Sequence, residues 1–141
     1  MKALLIVFQS RGAKTAAMAQ AVENGARAAL VEAEAESDVR IVMKRAPDAG
    51  PEDLLQADAL ILGTPENFGY MSGLMKDFLE RVFYACEDQV QGRPYALFVG
   101  AGQDGHGAIV SVERIVTGLR LRRAHEPVIG LKELTPEVLA Q

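Results

Sequence analysis

The sequence predicts a three-layer α/β sandwich on a five-stranded parallel sheet in the order 2-1-3-4-5. Two observations carry this. Strand-like and helix-like patterns alternate along the chain, and the apolar runs fall into two classes. Ala3–Phe8, Ala59–Leu62 and Tyr95–Val99 are continuously apolar, as strands covered on both faces read. Val39–Lys44 and His125–Ile129 instead carry Arg40, Lys44, Glu126 and Pro127, which edge strands tolerate and central strands rarely do.

Taken in order, the first strand Ala3–Phe8 leads to a helix whose core stripe is Met18, Val22, Ala26 and Ala29. Ala33–Glu36 reads as its solvated end. The edge strand Val39–Lys44 follows, then a short helix over Pro51–Gln56 with Pro51 suited to its first turn. After the third strand, Met75, Phe78, Leu79, Val82 and Phe83 recur at helical spacing. After the fourth, Ile109, Val112, Val116 and Leu119 do the same. Right-handed crossovers with strands one, three and four in the centre give a topological switch point between strands one and three. Ligands bind beyond the carboxyl ends of the strands at such a point.

At 141 residues, with 49% hydrophobic and 24% charged, the chain fits a single domain over residues 1–141. The net charge of −4 offers no basic footprint for nucleic acid and no polybasic face for an acidic membrane. A lone cysteine, Cys86, excludes an internal disulfide and fits a reducing compartment. No signal-peptide pattern follows Met1-Lys2, so the expectation is a cytoplasmic domain.

Three loops should converge on the switch point. Gln9–Thr15 follows strand one and opens a helix, whose free N–H groups and positive dipole end suit a phosphate. Ser10 and Thr15 offer hydroxyls there, and Arg11 and Lys14 offer charge; the plainer role for Ser10 or Thr15 is a helix cap. Gly63–Gly73 follows strand three and holds Phe68 and Tyr70. Apolar tips of this kind either cover a flat ligand or fold back onto the protein. Gly100–Gly107 follows strand four, and its glycines let backbone approach a ligand. Gly100, Gly102 and Gly105 also spell G-x-G-x-x-G, with Glu126 about twenty residues on. A dinucleotide fingerprint opens a nucleotide-binding half, however, and here a single strand is left after it.

The stretch from Gly63 to Arg81, with Thr64–Lys76 at its centre, closely resembles the flavodoxin-like NAD(P)H-dependent FMN reductases and NAD(P)H:quinone oxidoreductases. Gly92–Ala96 and Ala101–Gly105 resemble that family's fourth strand and following loop. The resemblance implies a flavodoxin-like fold and FMN as cofactor. By position, Ser10, Arg11, Gly12, Ala13, Lys14 and Thr15 would hold the phosphate. Thr64, Pro65, Glu66, Asn67, Phe68 and Gly69 would meet the ring from one side. Ala101, Gly102, Gln103 and Asp104 would meet it from the other, with Tyr70 and His106 left for substrate. Two departures stand out. Gly12-Ala13 replaces the family's hydroxyl residue and glycine, which predicts strain at Ala13 if the turn needs positive φ, with Lys14 compensating by charge. Thr135–Gln141 supplies about two turns of a shortened C-terminal helix. Part of one sheet face then needs cover from a homodimer, a higher homo-oligomer or a longer parent chain.

The implied reaction takes electrons from NAD(P)H through FMN to a quinone-like or other small acceptor, with the flavin rather than an acid–base pair carrying the chemistry. The rival is a flavodoxin-type electron carrier without NAD(P)H turnover, against which −4 is a weak docking charge; a third class is a non-catalytic flavin-binding domain. No metal cluster is read in the sequence. Cys86 lacks a visible partner, His125 reads as structural, and Arg120, Arg122 and Arg123 read as charges at the end of the fourth helix.

Overall fold

The computed structural model describes residues 2–101 and 104–131. In chain order they form β1 (Lys2–Phe8), α1 (Ala13–Glu32), β2 (Val39–Arg45), a 3-10 turn (Ala46–Asp48), α2 (Pro51–Gln56), β3 (Ala59–Pro65), α3 (Gly73–Cys86), β4 (Pro94–Ala101), α4 (His106–Gly118), β5 (Arg122–Arg123) and β6 (Val128–Leu131). Every strand pairing is parallel and the order is β2-β1-β3-β4-β5, with β6 also on β4. The fold is therefore flavodoxin-like, as expected.

The fifth sheet position differs from the expected His125–Ile129. Arg122–Arg123 pairs with Pro94–Tyr95, and Val128–Leu131 pairs with Phe98–Ala101. Between them Ala124 N donates to Tyr95 O at 2.8 Å, after which Pro127 has no N–H to carry the ladder on. The arginine cluster is corrected with it. Helix α4 ends at Gly118 and Arg120 turns left-handed at φ 62°, so Arg122 and Arg123 lie on a strand rather than at a helix end. Arg123 is engaged by Glu113 at 3.4 Å and Glu126 at 3.3 Å.

Period-two alternation sorts the side chains onto two faces. Leu5, Val7, Leu60, Leu62, Leu97 and Val99 face α2, α3 and α4, where Met75, Phe78, Leu79, Val82, Val112 and Val116 complete a large core. Phe8 and Phe98 face α1, which buries Thr15, Met18 and Ala19 alone of its twenty residues. An apolar groove of about 200 Å³ lies open on this second face, among Met18, Val22, Ile61, Phe98 and Val128. The expected helix over Thr135–Gln141 lies outside the described residues. No described helix is long and apolar enough to cross a membrane.

Candidate functional site at the carboxyl rim

Register brings the three loops to one rim. Phe8 is level with Gly63, and Thr64 and Pro65 are level with Val99 and Gly100. Gln9 N then donates to Gly63 O at 3.0 Å, and Glu66 N donates to Gly100 O at 3.0 Å. Side chains tie the loops further. Lys14 Nζ donates to Ala101 O at 2.8 Å, and Gly105 N donates to Glu66 Oε1 at 3.3 Å.

The first loop leaves its helix start open. Gly12 is the N-cap of α1 at φ −115°, no side chain caps it, and the first turn holds no acid. Ala13 is thus the first helical residue, and the strain expected there is absent because no left-handed turn is made. Nor do the hydroxyls cap: Ser10 Oγ turns onto Gly12 O, while Thr15 is buried. A Cβ at Gly100 would lie 2.7 Å from Thr15 Oγ1, so glycine there lets strand β4 pass close to α1. Burial lowers the Lys14 ammonium pKa from its ordinary value.

The second loop is a tight two-residue turn. Asn67 and Tyr70 exchange both backbone hydrogen bonds, at 2.8 and 3.0 Å, around Phe68 (φ 54°) and Gly69 (φ 69°). Positive φ at both central positions is the type I′ geometry, and a phenylalanine in it costs roughly 1–2 kcal/mol. The Phe68 ring does not fold back onto the protein: Phe68 is 106% exposed, and Tyr70 is 42% exposed. The loop's base is locked instead. Thr64 is buried, with its Oγ1 accepting from Ser72 N at 2.9 Å and donating to Pro65 O at 2.8 Å, so its hydroxyl serves the loop rather than the rim. Met71 N donates to Ser111 Oγ at 3.1 Å, and Ser72 caps α3 by accepting from Met75 N at 3.1 Å.

Of the third loop, Gly102 and Gln103 lie outside the described residues. Gly105 is left-handed at φ 76°, and Asp104 Oδ1 accepts from His106 N at 3.0 Å at the start of α4. Gly107 explains itself by contact, since a Cβ there would lie 1.9 Å from Gly69 O. The second and third loops pack backbone on backbone. His106 is exposed at the first residue of α4.

Sequence reasoning missed two residues. Arg45 ends β2 level with Phe8; its Nη1 donates to Ser10 O at 3.3 Å and its guanidinium lies 5.1 Å from the Phe8 ring centroid. The basic residue at a strand's carboxyl end was the available signal. Gln9 is buried, its Nε2 donates to the same Ser10 O at 3.3 Å, and its Oε1 lacks a partner. A buried acceptor without a donor calls for a hydroxyl or water. The rim thus offers an open helix start and cations for an anion, an acceptor for a hydroxyl, and an exposed aromatic edge. Cys86 by contrast is buried, and burial raises its thiol pKa, so it offers no thiolate. His125 is exposed, with Nδ1 2.7 Å from Glu126 O, away from the rim. The described residues contain no cluster of acids, histidines and cysteines fit to hold a metal.

Comparison with known proteins gives these features a family. The model for "NADPH-dependent FMN reductase" matches residues 1–127. A flavodoxin of Aquifex aeolicus is 30% identical over 119 residues, covering 84% of this chain and 60% of that protein. An NAD(P)H dehydrogenase (quinone) of Paracoccus denitrificans is 32% identical over 150 residues, covering 84% of this chain and 68% of that protein. The chain therefore spans about three fifths to two thirds of these relatives' lengths. Among solved structures, a flavodoxin from the domain Archaea superposes with a TM-score of 0.79 at 22% identity, covering 97% of this chain and 88% of that one. Fold and sequence match agree, and the chain belongs to the NADPH-dependent FMN reductase family.

Proposed function

We propose that this chain binds FMN at the carboxyl rim and passes electrons from NAD(P)H to a quinone-like small acceptor. The observation that carries the reading is the junction of three loops at the ends of β1, β3 and β4, in a chain matched by this family over residues 1–127. When bound, FMN supplies the hydride-accepting and electron-passing chemistry, and the protein supplies position and electrostatics. The residues present fit that group. Ser10, Arg11, Gly12, Ala13 and Lys14 surround an uncapped helix start that would hold the phosphate, with Thr15 packed beneath it. The orphaned Gln9 Oε1 suits a hydroxyl of the polyol chain. Pro65, Glu66, Asn67, Phe68 and Gly69 would meet one side of the ring and Ala101, Gly102, Gln103 and Asp104 the other. Tyr70 and His106, both exposed beside the turn, would face the acceptor or NAD(P)H.

The strained and fully exposed Phe68 supports this reading, because an aromatic held out in water at positive φ costs energy on both counts. Glu66 also does specific work: its bond to Gly105 N holds the third loop against the second. A homo-oligomer belongs to the same reading as cover for the groove beside α1. The test is direct. The purified protein should be yellow, release FMN rather than FAD on heating, lose its visible absorbance on anaerobic NADPH or NADH, and regain it on quinone addition. Colourless protein that stays colourless through an FMN titration ends the proposal. Bound flavin that no pyridine nucleotide bleaches makes the chain a carrier instead.

A further inference from the structure

We propose that the outer face of α3 and α4 is an interface on which a second copy of this chain docks across a two-fold axis. Exposed apolar side chains gather on this side of the molecule. Among the described residues, Phe68, Tyr70, Leu74, Tyr84 and Val110 are exposed, and all five lie on the second rim loop, α3 or α4. Val31 is the one large apolar residue exposed elsewhere. Between the two helices runs a groove of about 380 Å³ lined by Lys76, Leu79, Glu80, Phe83, Arg114 and Ile115. It lies across the sheet from the groove beside α1. Apolar surface gathered in this way marks a contact site.

The face is complementary to itself, which selects a copy of this chain as the partner. Tyr84 is a knob: it is 83% exposed, and its ring stands edge-on to Phe83, with centroids 5.2 Å apart and planes at 78°. Phe83 is seated in turn on Gly118, where a Cβ would lie 3.0 Å from the ring. Beside the knob, α4 presents a shallow hollow among Val110, Glu113, Arg114 and Thr117. Charge is matched within the face as well. Arg114 forms no ion pair with an acid among the described residues. Glu80 is exposed and holds Lys76 at 3.0 Å, one turn away on α3. A two-fold axis sets each residue of one copy against its complement on the other, twice per dimer, so Arg114 meets Glu80 on both sides. Tyrosine and arginine are enriched at the centres of such interfaces. The face also runs into the rim. The hydrogen bond to Glu80 raises the Lys76 ammonium pKa above its ordinary value, and Tyr70, from the second rim loop, adds to the effect. A copy docked here therefore walls the side of the rim that carries Tyr70.

Sedimentation equilibrium of the whole protein, with and without FMN, tests the interface. Oligomeric state is read without turnover, so the result stands apart from the flavin reading. Wild type should sediment as a dimer at micromolar concentration. R114E sets glutamate against glutamate and E80R sets arginine against arginine, twice per dimer, and each should weaken association about a hundredfold. Mixing R114E with E80R puts unlike charges opposite each other at both contacts. The mixed dimer should return to within about threefold of wild type, a rescue that a misfolded variant does not give. Y84A should weaken association about tenfold. Circular dichroism establishes that each variant folds; should E80R not fold, E80K takes its place in the mixture. A monomer at every concentration overturns the proposal, and so do single variants that mixing does not rescue. A dimer that ignores both reversals and dissociates on A21R, in the groove beside α1, overturns it too.

Discussion

Helices α1 and α3 both start at the carboxyl ends of central strands, yet their first turns are finished in opposite ways. Ser72 caps α3 by taking the N–H of Met75, and Thr64 holds Ser72 in turn, so that start is closed and buried. The α1 start has Gly12 at its cap, no side-chain acceptor, no acid in the turn, and Lys14 within it. A serine cap is worth about 1 kcal/mol over alanine, and a glycine cap forgoes a few tenths of that. The difference teaches where the rim is built for stability and where it is left open for an anion.

The largest way to break this contrast is to separate the closed loops from each other. In G107A the new Cβ would sit 1.9 Å from Gly69 O, backbone atoms that have no flexible end to yield. Overpacking of this kind costs about 2 kcal/mol, read as a lower urea midpoint. Moving the second loop by about an ångström should also cost turnover of NADPH with a quinone roughly a hundredfold. Stability and turnover unchanged from wild type would mean that the two loops are not packed as described.

A smaller change turns the open start into a closed one. In G12D a carboxylate becomes the cap of α1 and faces the helix dipole and the nearby cations. The protein without flavin should gain up to about 1 kcal/mol in urea unfolding, while FMN binding weakens about tenfold because the carboxylate competes with the phosphate. A stabilised variant that binds FMN as tightly as wild type would show that the α1 start is not where the anion sits.

The contrast also marks how much the sequence allowed one to read. Strand class was legible because Ala3–Phe8, Ala59–Leu62 and Tyr95–Val99 are apolar on both faces, and the sheet order followed. The fifth strand was misplaced because its first piece is Arg122–Arg123, two exposed residues whose pairing comes from backbone alone. The rim loops were legible as glycine-rich and aromatic, but the reason for each glycine was not. Gly107 answers to Gly69 across two loops, and Gly100 to Thr15 across two elements, contacts with no local sequence signal. Strain at Ala13 was expected only if the turn needed positive φ, a condition that local sequence does not settle, and here the helix simply starts at that residue. Arg45 was missed because the expected edge strand stopped at Lys44; only register with Phe8 brings Arg45 to the loop.

A still smaller effect sharpens the comparison from the other side. S72A removes the α3 cap and should cost about 1 kcal/mol of stability, with FMN affinity within about twofold of wild type. Loosening of FMN comparable to that of G12D would erase the distinction between the two starts.

The smallest expected effect is a pH dependence that belongs to the open start alone. Burial holds the Lys14 ammonium below the ordinary lysine value, so unfolding raises its pKa. Through the window between the lowered value and about 10.4, the unfolded chain binds more protons, and the stability of the flavin-free protein rises with pH there. A bound phosphate reverses the sign by favouring the charged amine. The complex then holds more protons than the free protein, and FMN affinity falls as pH rises through the free protein's Lys14 value, by less than about tenfold. K14M removes the titrating group while leaving FMN's own alkaline titration in place, so the difference between wild type and K14M isolates the lysine. Identical alkaline profiles for the two proteins would mean that the Lys14 ammonium does not sense the phosphate, and that the cation beside the open helix start serves only to hold Ala101.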